Sequence, residues 1–237
     1  MWTKLQPDIQ IEETRRLYYG KYLYRIRLRL GCARAILLNL DLPIIDCVQR
    51  MTESRWYNPH GSWKPRLSHP TKEEIVCLSF LRDLKKSNKN IKIRIESDNV
   101  DLYSTTEDQL YKIISEHEHL KDYLIGISIP NEKNRDLLLS GKQLVKGPVE
   151  YQYKVILRDG TYTAAELKSI HDYLEGCGDT VKITKGCKNQ LDKSNNRING
   201  WIWSCYFYTK DIKICTFVQI ISPRAIRNYY ELIESEQ

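Results

Sequence analysis

A row of basic side chains in residues 21–30 is the feature of this sequence that most clearly suggests a binding function. Every second residue there is aromatic or aliphatic, and Arg25, Arg27 and Arg29 stand between them. A period of two is typical of a strand with one buried face, so the three arginines are expected on the opposite face. Guanidinium groups on such a face can neutralise the phosphates of a nucleic acid.

The same alternation continues in two later segments. Residues 91–96 place Lys92 and Arg94 between isoleucines, and the second half of the chain adds Lys154, Arg158 and Lys182. Open four-stranded sheets bind single-stranded RNA through such cations together with stacking aromatics. The sequence therefore predicts a nucleic-acid-binding surface made of Arg25, Arg27, Arg29, Lys92, Arg94, Lys154, Arg158 and Lys182.

Two conditions limit this hypothesis. Lysine and arginine outside a sheet commonly serve solubility and block edge pairing, which is the alternative explanation. The binding surface also requires that the arginines have no acidic neighbours and are not covered by the chain itself. The first half of the chain lacks the aromatic sheet motif of an RNA-recognition domain.

A second candidate surface is the proline- and tryptophan-rich segment at residues 55–70. It interleaves aromatic and basic residues, as docking hot spots do. The predicted partner-binding residues are Arg55, Trp56, Tyr57, Trp63 and Lys64, with Arg66 beside them. The alternatives are a loop that packs its tryptophans onto its own core, or one that stacks on bases.

Residues of catalytic or metal-binding type do not form a recognisable constellation. His117 and His119 point away from each other if they lie on a helix, and no zinc-type cysteine pair accompanies them. Glu96, Asp98 and Asp101 are typical of a strand turn, although carboxylates so placed also bind divalent ions. We predict no catalytic residue, no metal and no cofactor.

Two cysteines and a histidine complete the candidates for chemistry. Cys177 and Cys187 are potential reactive thiols without an evident base, and His171 is expected to be structural. The chain contains no phosphate-binding loop, dinucleotide fingerprint or nucleophile elbow. The sequence therefore favours a protein that is not an enzyme.

Composition is that of an ordinary globular protein. The 237 residues include 37 basic and 30 acidic ones, a net charge of +7 that permits contact with phosphates. Seven irregularly spaced cysteines argue against a disulfide framework and indicate a reducing, cytoplasmic environment. The sequence contains no run of about 18 apolar residues, so no membrane span is expected.

The elements that must position these residues form two similar series. Capping boxes at Thr71–Glu74, Thr106–Gln109 and Thr163–Glu166 each predict the start of a helix. Residues 201–208 and 212–221 are predicted as a hairpin, and Ser222-Pro223 as the start of a final helix over residues 226–233. The openings Tyr22-Leu23-Tyr24-Arg25-Ile26 and Tyr151-Gln152-Tyr153-Lys154-Val155 are also alike.

These series predict an α+β protein made of two ferredoxin-like sandwiches, each with helices on one face of an antiparallel sheet. The first half is expected at residues 1–130 with an insertion near 41–70, a connector at 131–148 and the second half at 149–237. An internal duplication and a single α+β domain with insertions explain the pattern equally well.

Tyr151 to Tyr162 are predicted to run from a strand into a capped helix, and Tyr206 to Ile221 to form a hairpin before a terminal helix. In these features the last 90 or so residues resemble uncharacterised proteins of bacteriophages and environmental viruses. The resemblance implies a viral accessory or virion protein, in the host cytoplasm or the virion, and no catalytic residues.

Two functions are therefore expected. The first is a viral, non-enzymatic accessory protein that binds single-stranded nucleic acid through cationic sheet faces. The alternative is a structural or virion-associated protein that docks a partner, or a second copy of itself, through the Trp-rich loop.

Overall fold

The chain folds into two compact units, Met1–Glu132 and Lys133–Gln237. The computed structural model describes residue 2 and residues 9–53, 55–57, 63–65, 70–192 and 199–235. Both units are α+β, and each contains one five-stranded sheet. Within the described residues, no helix has the length and apolar character that crossing a membrane requires.

The described part of the first unit contains seven strands and four α-helices. They are β1 (Gln10–Glu13), β2 (Tyr24–Arg29), α1 (Ala33–Leu37), α2 (Ile44–Glu53), β3 (Arg55–Tyr57), β4 (Trp63–Pro65), α3 (Lys72–Ser87), β5 (Lys92–Glu96), β6 (Asn99–Ser104), α4 (Glu107–Glu116) and β7 (Leu124–Ile129). A 3₁₀ helix, Glu118–Tyr123, precedes β7.

The second unit continues the series. Its described elements are α5 (Arg135–Leu139), β8 (Gln143–Val145), β9 (Tyr153–Leu157), β10 (Gly160–Thr163), α6 (Ala164–Gly176), β11 (Val181–Ile183), α7 (Lys185–Asp192), β12 (Asn199–Ile202), β13 (Tyr206–Thr209), α8 (Ile214–Ile221) and β14 (Ile226–Glu234). Residues 131–148, expected as a connector, thus supply α5 and β8, and β8 joins the sheet of the second unit.

The two five-stranded sheets have the same topology. Their strand orders are β1-β7-β2-β6-β5 and β8-β14-β9-β13-β11. In each, the outer strand pairs in parallel with the last strand of the unit, and the other neighbours are antiparallel. The expectation of purely antiparallel sheets was wrong, because this additional parallel strand makes both sheets mixed.

Helix starts show how local sequence produces these elements. Thr71 and Glu74 form a complete capping box at α3, and Thr163 and Glu166 form one at α6, as predicted. The box predicted at Thr106 is absent. The side-chain oxygen of Gln109 instead accepts a hydrogen bond of 2.6 Å from the hydroxyl of Ser104.

Each unit buries the apolar face of its sheet. In the first unit, Ile26, Leu28 and Leu102 are fully buried, and α4 packs against β2 and β6. In the second, Val155, Leu157 and Phe207 lie in one cluster with apolar residues of α6 and α8. Since successive residues of a strand point to opposite faces, Arg25 and Lys154 lie on the face opposite the core, which we call the outer face.

The end of the chain corrects the sequence prediction. Residues 212–221 were predicted as a strand and residues 226–233 as a helix, whereas Ile214–Ile221 is α8 and Ile226–Glu234 is β14. A short apolar run does not distinguish a strand from a buried helix. In α8 the buried residues are Ile214, Cys215 and Val218, which share one helical face.

Candidate nucleic-acid interface

A row of side chains crosses the outer face of the first sheet. Tyr103 of β6 pairs with Lys92 of β5 on one side and with Arg25 of β2 on the other. Arg25 in turn pairs with Ser128 of β7. Cross-strand partners lie about 5 Å apart, so the phenol stands between two cations.

The arginines of this face are held by acidic neighbours. Arg25 forms an ion pair of 3.0 Å with Glu12 and donates a 2.9 Å hydrogen bond to Ser128. Arg94 forms an exposed pair of 3.0 Å with Glu96. The condition of free arginines is therefore not met for these side chains.

Arg27 is the most strongly held of the group. It donates hydrogen bonds of 2.6 and 3.0 Å to the two carboxylate oxygens of Asp101, which is 1% exposed. The pKa of Arg27 is raised, first by the hydrogen bond to Asp101. Arg29, at the end of β2, is exposed.

Tyrosines of the β1–β2 connection cover the middle of the same face. The ring centroids of Tyr18 and Tyr19 lie 5.0 and 5.2 Å from that of Tyr103, which is only 2% exposed. The Lys92 ammonium lies 4.4 Å from the ring centroid of Tyr19. The first unit therefore does not offer the open cationic sheet that the sequence predicts.

The outer face of the second sheet carries an equivalent row with different surroundings. Tyr208 of β13 pairs with Lys182 of β11 and with Lys154 of β9. Lys154 also pairs with Tyr230 of β14. Tyr208 is partly exposed and Lys182 is exposed, whereas their counterparts Tyr103 and Lys92 are buried and partly buried.

Two further tyrosines extend this row. Tyr206 lies two residues along β13, its ring 5.7 Å from that of Tyr208, with the Lys154 ammonium 4.1 Å from its centroid. Tyr151 precedes β9 and lies 6.5 Å from Tyr208. We call Tyr151, Lys154, Lys182, Tyr206, Tyr208 and Lys210 the tyrosine–lysine face.

This face carries three lysines, and the carboxylates of Glu150 and Asp179 lie near Tyr151 at its edge. The ammonium groups of Lys182 and Lys210 lie 5.8 and 5.4 Å from the ring centroid of Tyr151. Among the described residues, no carboxylate forms an ion pair with either lysine. Burial raises the pKa of Tyr208, and burial together with the charge of Glu150 raises that of Tyr151. Both phenols are therefore neutral at physiological pH.

The sequence pattern identified Lys154 and Lys182 but missed the tyrosines and Lys210. The signal was present in residues 206–209, where Tyr206 and Tyr208 alternate with buried Phe207 and Thr209. Arg158, the remaining predicted cation, directly follows β9. Its Nε donates a 3.1 Å hydrogen bond to the carbonyl of Arg224, beside a cavity of about 310 Å³.

The predicted partner-binding residues lie in a short antiparallel pair rather than a loop. Arg55, Trp56 and Tyr57 form β3 and Trp63 and Lys64 lie in β4, with Trp56 opposite Lys64. Their side chains, and Arg66 as a whole, lie outside the described residues. Their role as a docking surface stays a prediction.

The described residues hold no cluster of three or more histidine, cysteine or carboxylate groups arranged for a metal. The ring of His117 packs on Phe80 with 3.5 Å between centroids, and Asp101 and Glu96 pair with arginines. The Nε2 atom of His171 lies 2.9 Å from Asp192. The thiol of Cys187 is 1% exposed and its pKa is raised, with Cys205 as the first cause.

Comparison with known proteins adds no family to this picture. No protein-family description matches the chain, and no curated protein sequence matches it. The geometry of the two outer faces is therefore the basis for assigning a function.

Proposed function

We propose that this protein binds single-stranded nucleic acid through the tyrosine–lysine face of its second unit. The observation that carries the proposal is the cross-strand row Lys182–Tyr208–Lys154, in which a neutral aromatic ring stands between two cations on the outer face of a sheet. The proposal keeps Lys154 and Lys182 from the predicted surface and moves the site away from the arginines of the first unit.

The chemistry of the face fits a single strand. Stacking of a base on an aromatic side chain contributes about 1–3 kcal/mol and tolerates any base. Tyr206 and Tyr208 are both partly exposed, and the planes of their rings are at 89° to each other. A nucleic-acid strand whose successive bases stack on both rings must therefore bend. Lys182 and Lys210 are exposed beside them and provide cations for the phosphates.

The same features disfavour a duplex as the ligand. Bases inside a duplex are stacked on each other and do not offer free faces to aromatic side chains. The face provides rings and ammonium groups rather than a helix or loop that enters a groove. We therefore expect little dependence on base sequence and a preference for single strands.

Binding of a fluorescein-labelled oligothymidine, followed by fluorescence anisotropy, tests the proposal. Tyr208→Ala is expected to weaken binding about tenfold because it removes one stacking platform. Tyr229→Ala is the matched control. Tyr229 is 52% exposed in the same sheet but pairs with Val155, so it lies on the opposite face. The proposal fails if the wild-type protein does not bind, or if both variants bind alike.

A second candidate function is that of a structural protein that docks a partner. Large apolar side chains are exposed in the second unit, among them Trp201 at 62%, Trp203 at 58% and Ile220 at 72%. Tryptophan is enriched in docking hot spots. This function predicts an assembly larger than the monomer in light scattering, dispersed by deletion of residues 55–69 or by Trp201→Ser with Trp203→Ser. A strictly monomeric protein contradicts self-assembly.

The virus-accessory role belongs to the same proposal. It is supported only by the resemblance of the last 90 or so residues to uncharacterised viral proteins. Either function suits such a role, since both the nucleic acid and the partner would be encountered during replication or assembly.

A further inference from the structure

The two units agree in detail beyond their strand order. Apart from inserted elements, strands and helices follow in both in the order β-α-β-β-α-β, preceded by the outer parallel strand. The long helix between the first two of these strands begins with a capping box in each unit, at Thr71 and at Thr163. The agreement includes the order and direction of all five strands, so it extends through the whole sheet.

Corresponding side chains agree as well. Tyr22 precedes β2 as Tyr151 precedes β9. The ring of Tyr22 lies 6.4 Å from Tyr103 at an interplanar angle of 41°, and that of Tyr151 lies 6.5 Å from Tyr208 at 43°. The rows Lys92–Tyr103–Arg25 and Lys182–Tyr208–Lys154 occupy the same three strands of their sheets.

We propose that the chain is an internal duplication whose first unit retains a second binding row for single-stranded nucleic acid, covered by the Tyr18–Tyr22 hairpin in its β1–β2 connection. The covered row is Lys92, Tyr103 and Arg25. This inference rests on the proposed function of the second unit, since it assigns the same ligand chemistry to the equivalent residues.

The cover imitates the contacts expected of a nucleic acid. The ring of Tyr19 stands edge-on against Tyr103, and the Lys92 ammonium lies over it at 4.4 Å. The Arg25 guanidinium lies 5.4 Å from the centroid of Tyr18 and pairs with the Glu12 carboxylate. Aromatic rings thus take the place of bases, and a carboxylate takes the place of a phosphate.

The hairpin that carries these rings has a distinctive backbone. Tyr18 and Tyr22 exchange backbone hydrogen bonds of 2.8 and 2.9 Å around a tight turn. Tyr19 has a φ of 55° and is 51% exposed, although a left-handed conformation is unfavourable for a bulky residue. The turn holds Tyr19 on the row at a conformational cost, which a glycine would not incur.

The two rows also differ beside Tyr103 and Tyr208. The position two residues earlier is Asp101 in the first unit, paired with Arg27, and Tyr206 in the second, opposite Ile156. The first unit thus has a partly buried ion pair where the second unit has an aromatic–aliphatic pair. The uncovered first row is therefore expected to bind more weakly, because it has one stacking ring fewer.

The stoichiometry of oligonucleotide binding, measured by native mass spectrometry on the full chain, tests the inference. The probe is oligothymidine of about six nucleotides, short enough to fill one face. The wild type is expected to bind one copy. The opened variant Glu12→Gln/Tyr18→Ala/Tyr19→Gly is expected to bind two. If the triple variant does not fold, Tyr19→Gly alone replaces it, because glycine suits the left-handed backbone. This variant is expected to bind a second oligonucleotide more weakly than the first.

A variant background in which the tyrosine–lysine face is substituted distinguishes this inference from the proposed function. Lys182→Ala/Lys210→Ala/Tyr208→Ala removes three of the six residues of the tyrosine–lysine face and is expected to abolish binding when the first unit is still covered. Oligonucleotide bound only after the opening changes are added to this background is therefore bound by the first unit. One copy per chain in the opened variant, with no binding in this background, overturns the covered row and leaves the proposed function intact. Binding in this background together with no binding by the wild type overturns the proposed function instead. Absence of binding in every variant overturns both.

Discussion

Arg27 donates two hydrogen bonds to Asp101, and the carboxylate they hold is 1% exposed although it lies on the outer face of the first sheet. The hydroxyl of Tyr103 donates a third, of 3.1 Å. Arg27, which the sequence predicted as a free cation for a ligand, is instead part of the folded framework.

Arg27→Ala is therefore expected to destabilise the first unit. The substitution leaves a buried carboxylate without its cation, which costs about 3 kcal/mol. Urea unfolding followed by circular dichroism measures the loss. Arg94→Ala is the control, because its pair with Glu96 is 49% and 60% exposed and should contribute at most about 1 kcal/mol. Equal losses for the two variants would contradict a structural role for the buried pair.

Arg82 of α3 holds the connection between α1 and α2 against α3. It is 7% exposed, and its guanidinium donates to the backbone carbonyls of Asn39, Leu40 and Leu42. Arg82→Met removes the donor that these three backbone carbonyls share, so we expect a loss of about 1–3 kcal/mol in the free energy of unfolding. Lys86→Met, an exposed change on the same helix, should leave stability within about 0.5 kcal/mol of the wild type.

The capping box of α6 should make stability depend on pH. Hydrogen bonds from the backbone of Thr163, from Ser222 and from the Thr163 hydroxyl lower the pKa of Glu166. A lowered folded-state pKa contributes stability above the unfolded value of about 4.3, and this contribution is lost as pH falls through the folded value.

Glu166→Gln should remove that part of the acid dependence. Chemical unfolding between pH 7 and pH 3 measures it, and the variant should lie closest to the wild type at the acid end. Thr163→Ala should cost about 1 kcal/mol at neutral pH. Glu118→Gln, a carboxylate whose side chain is 89% exposed, should leave the pH profile unchanged. An unaltered profile for Glu166→Gln would show that the cap does not control the acid limb.

Salt dependence reports the phosphate contacts of the tyrosine–lysine face. Each contact to a single strand contributes about 0.7 to the slope of log K against log salt. Lys182→Ala with Lys210→Ala should therefore reduce the slope by about 1.4, measured by anisotropy titrations at several salt concentrations. Lys185→Ala with Lys213→Ala removes two exposed lysines outside the face and should not change it. A slope that Lys182→Ala with Lys210→Ala leaves unchanged would show that these lysines do not contact the phosphates.

Thiol reactivity should identify one accessible cysteine. Burial raises the pKa of Cys32, Cys77 and Cys215 to about 11, so these thiols are protonated at pH 8. Cys177 is partly exposed, and the other six cysteines are buried. Reaction with a disulfide reagent in native buffer should give one fast equivalent, and Cys177→Ser should abolish it. Several fast equivalents would contradict the described burial.

The sequence pattern was sufficient to predict those features that depend only on neighbouring residues in the chain. The caps at Thr71 and Thr163 bond within their own helical turn, so their spacing predicts them. The alternation around Arg25 and Lys154 likewise follows from the geometry of a strand. At residues 214–221 the same reasoning failed, because a short apolar run suits a buried helix as well as a strand.

The sequence by itself determined the α+β class and the side of each strand on which its cations lie. Only the tertiary structure decided which cations face solvent. Glu12 and Ser128 are distant from Arg25 along the chain, and Tyr19 is distant from Lys92 and Tyr103, yet strand pairing and the Tyr18–Tyr22 hairpin bring them together. Alternation specifies the sheet face on which each side chain of one strand lies. Whether a cation is neutralised or covered depends on neighbours that the strand order brings close, and no local pattern contains that order.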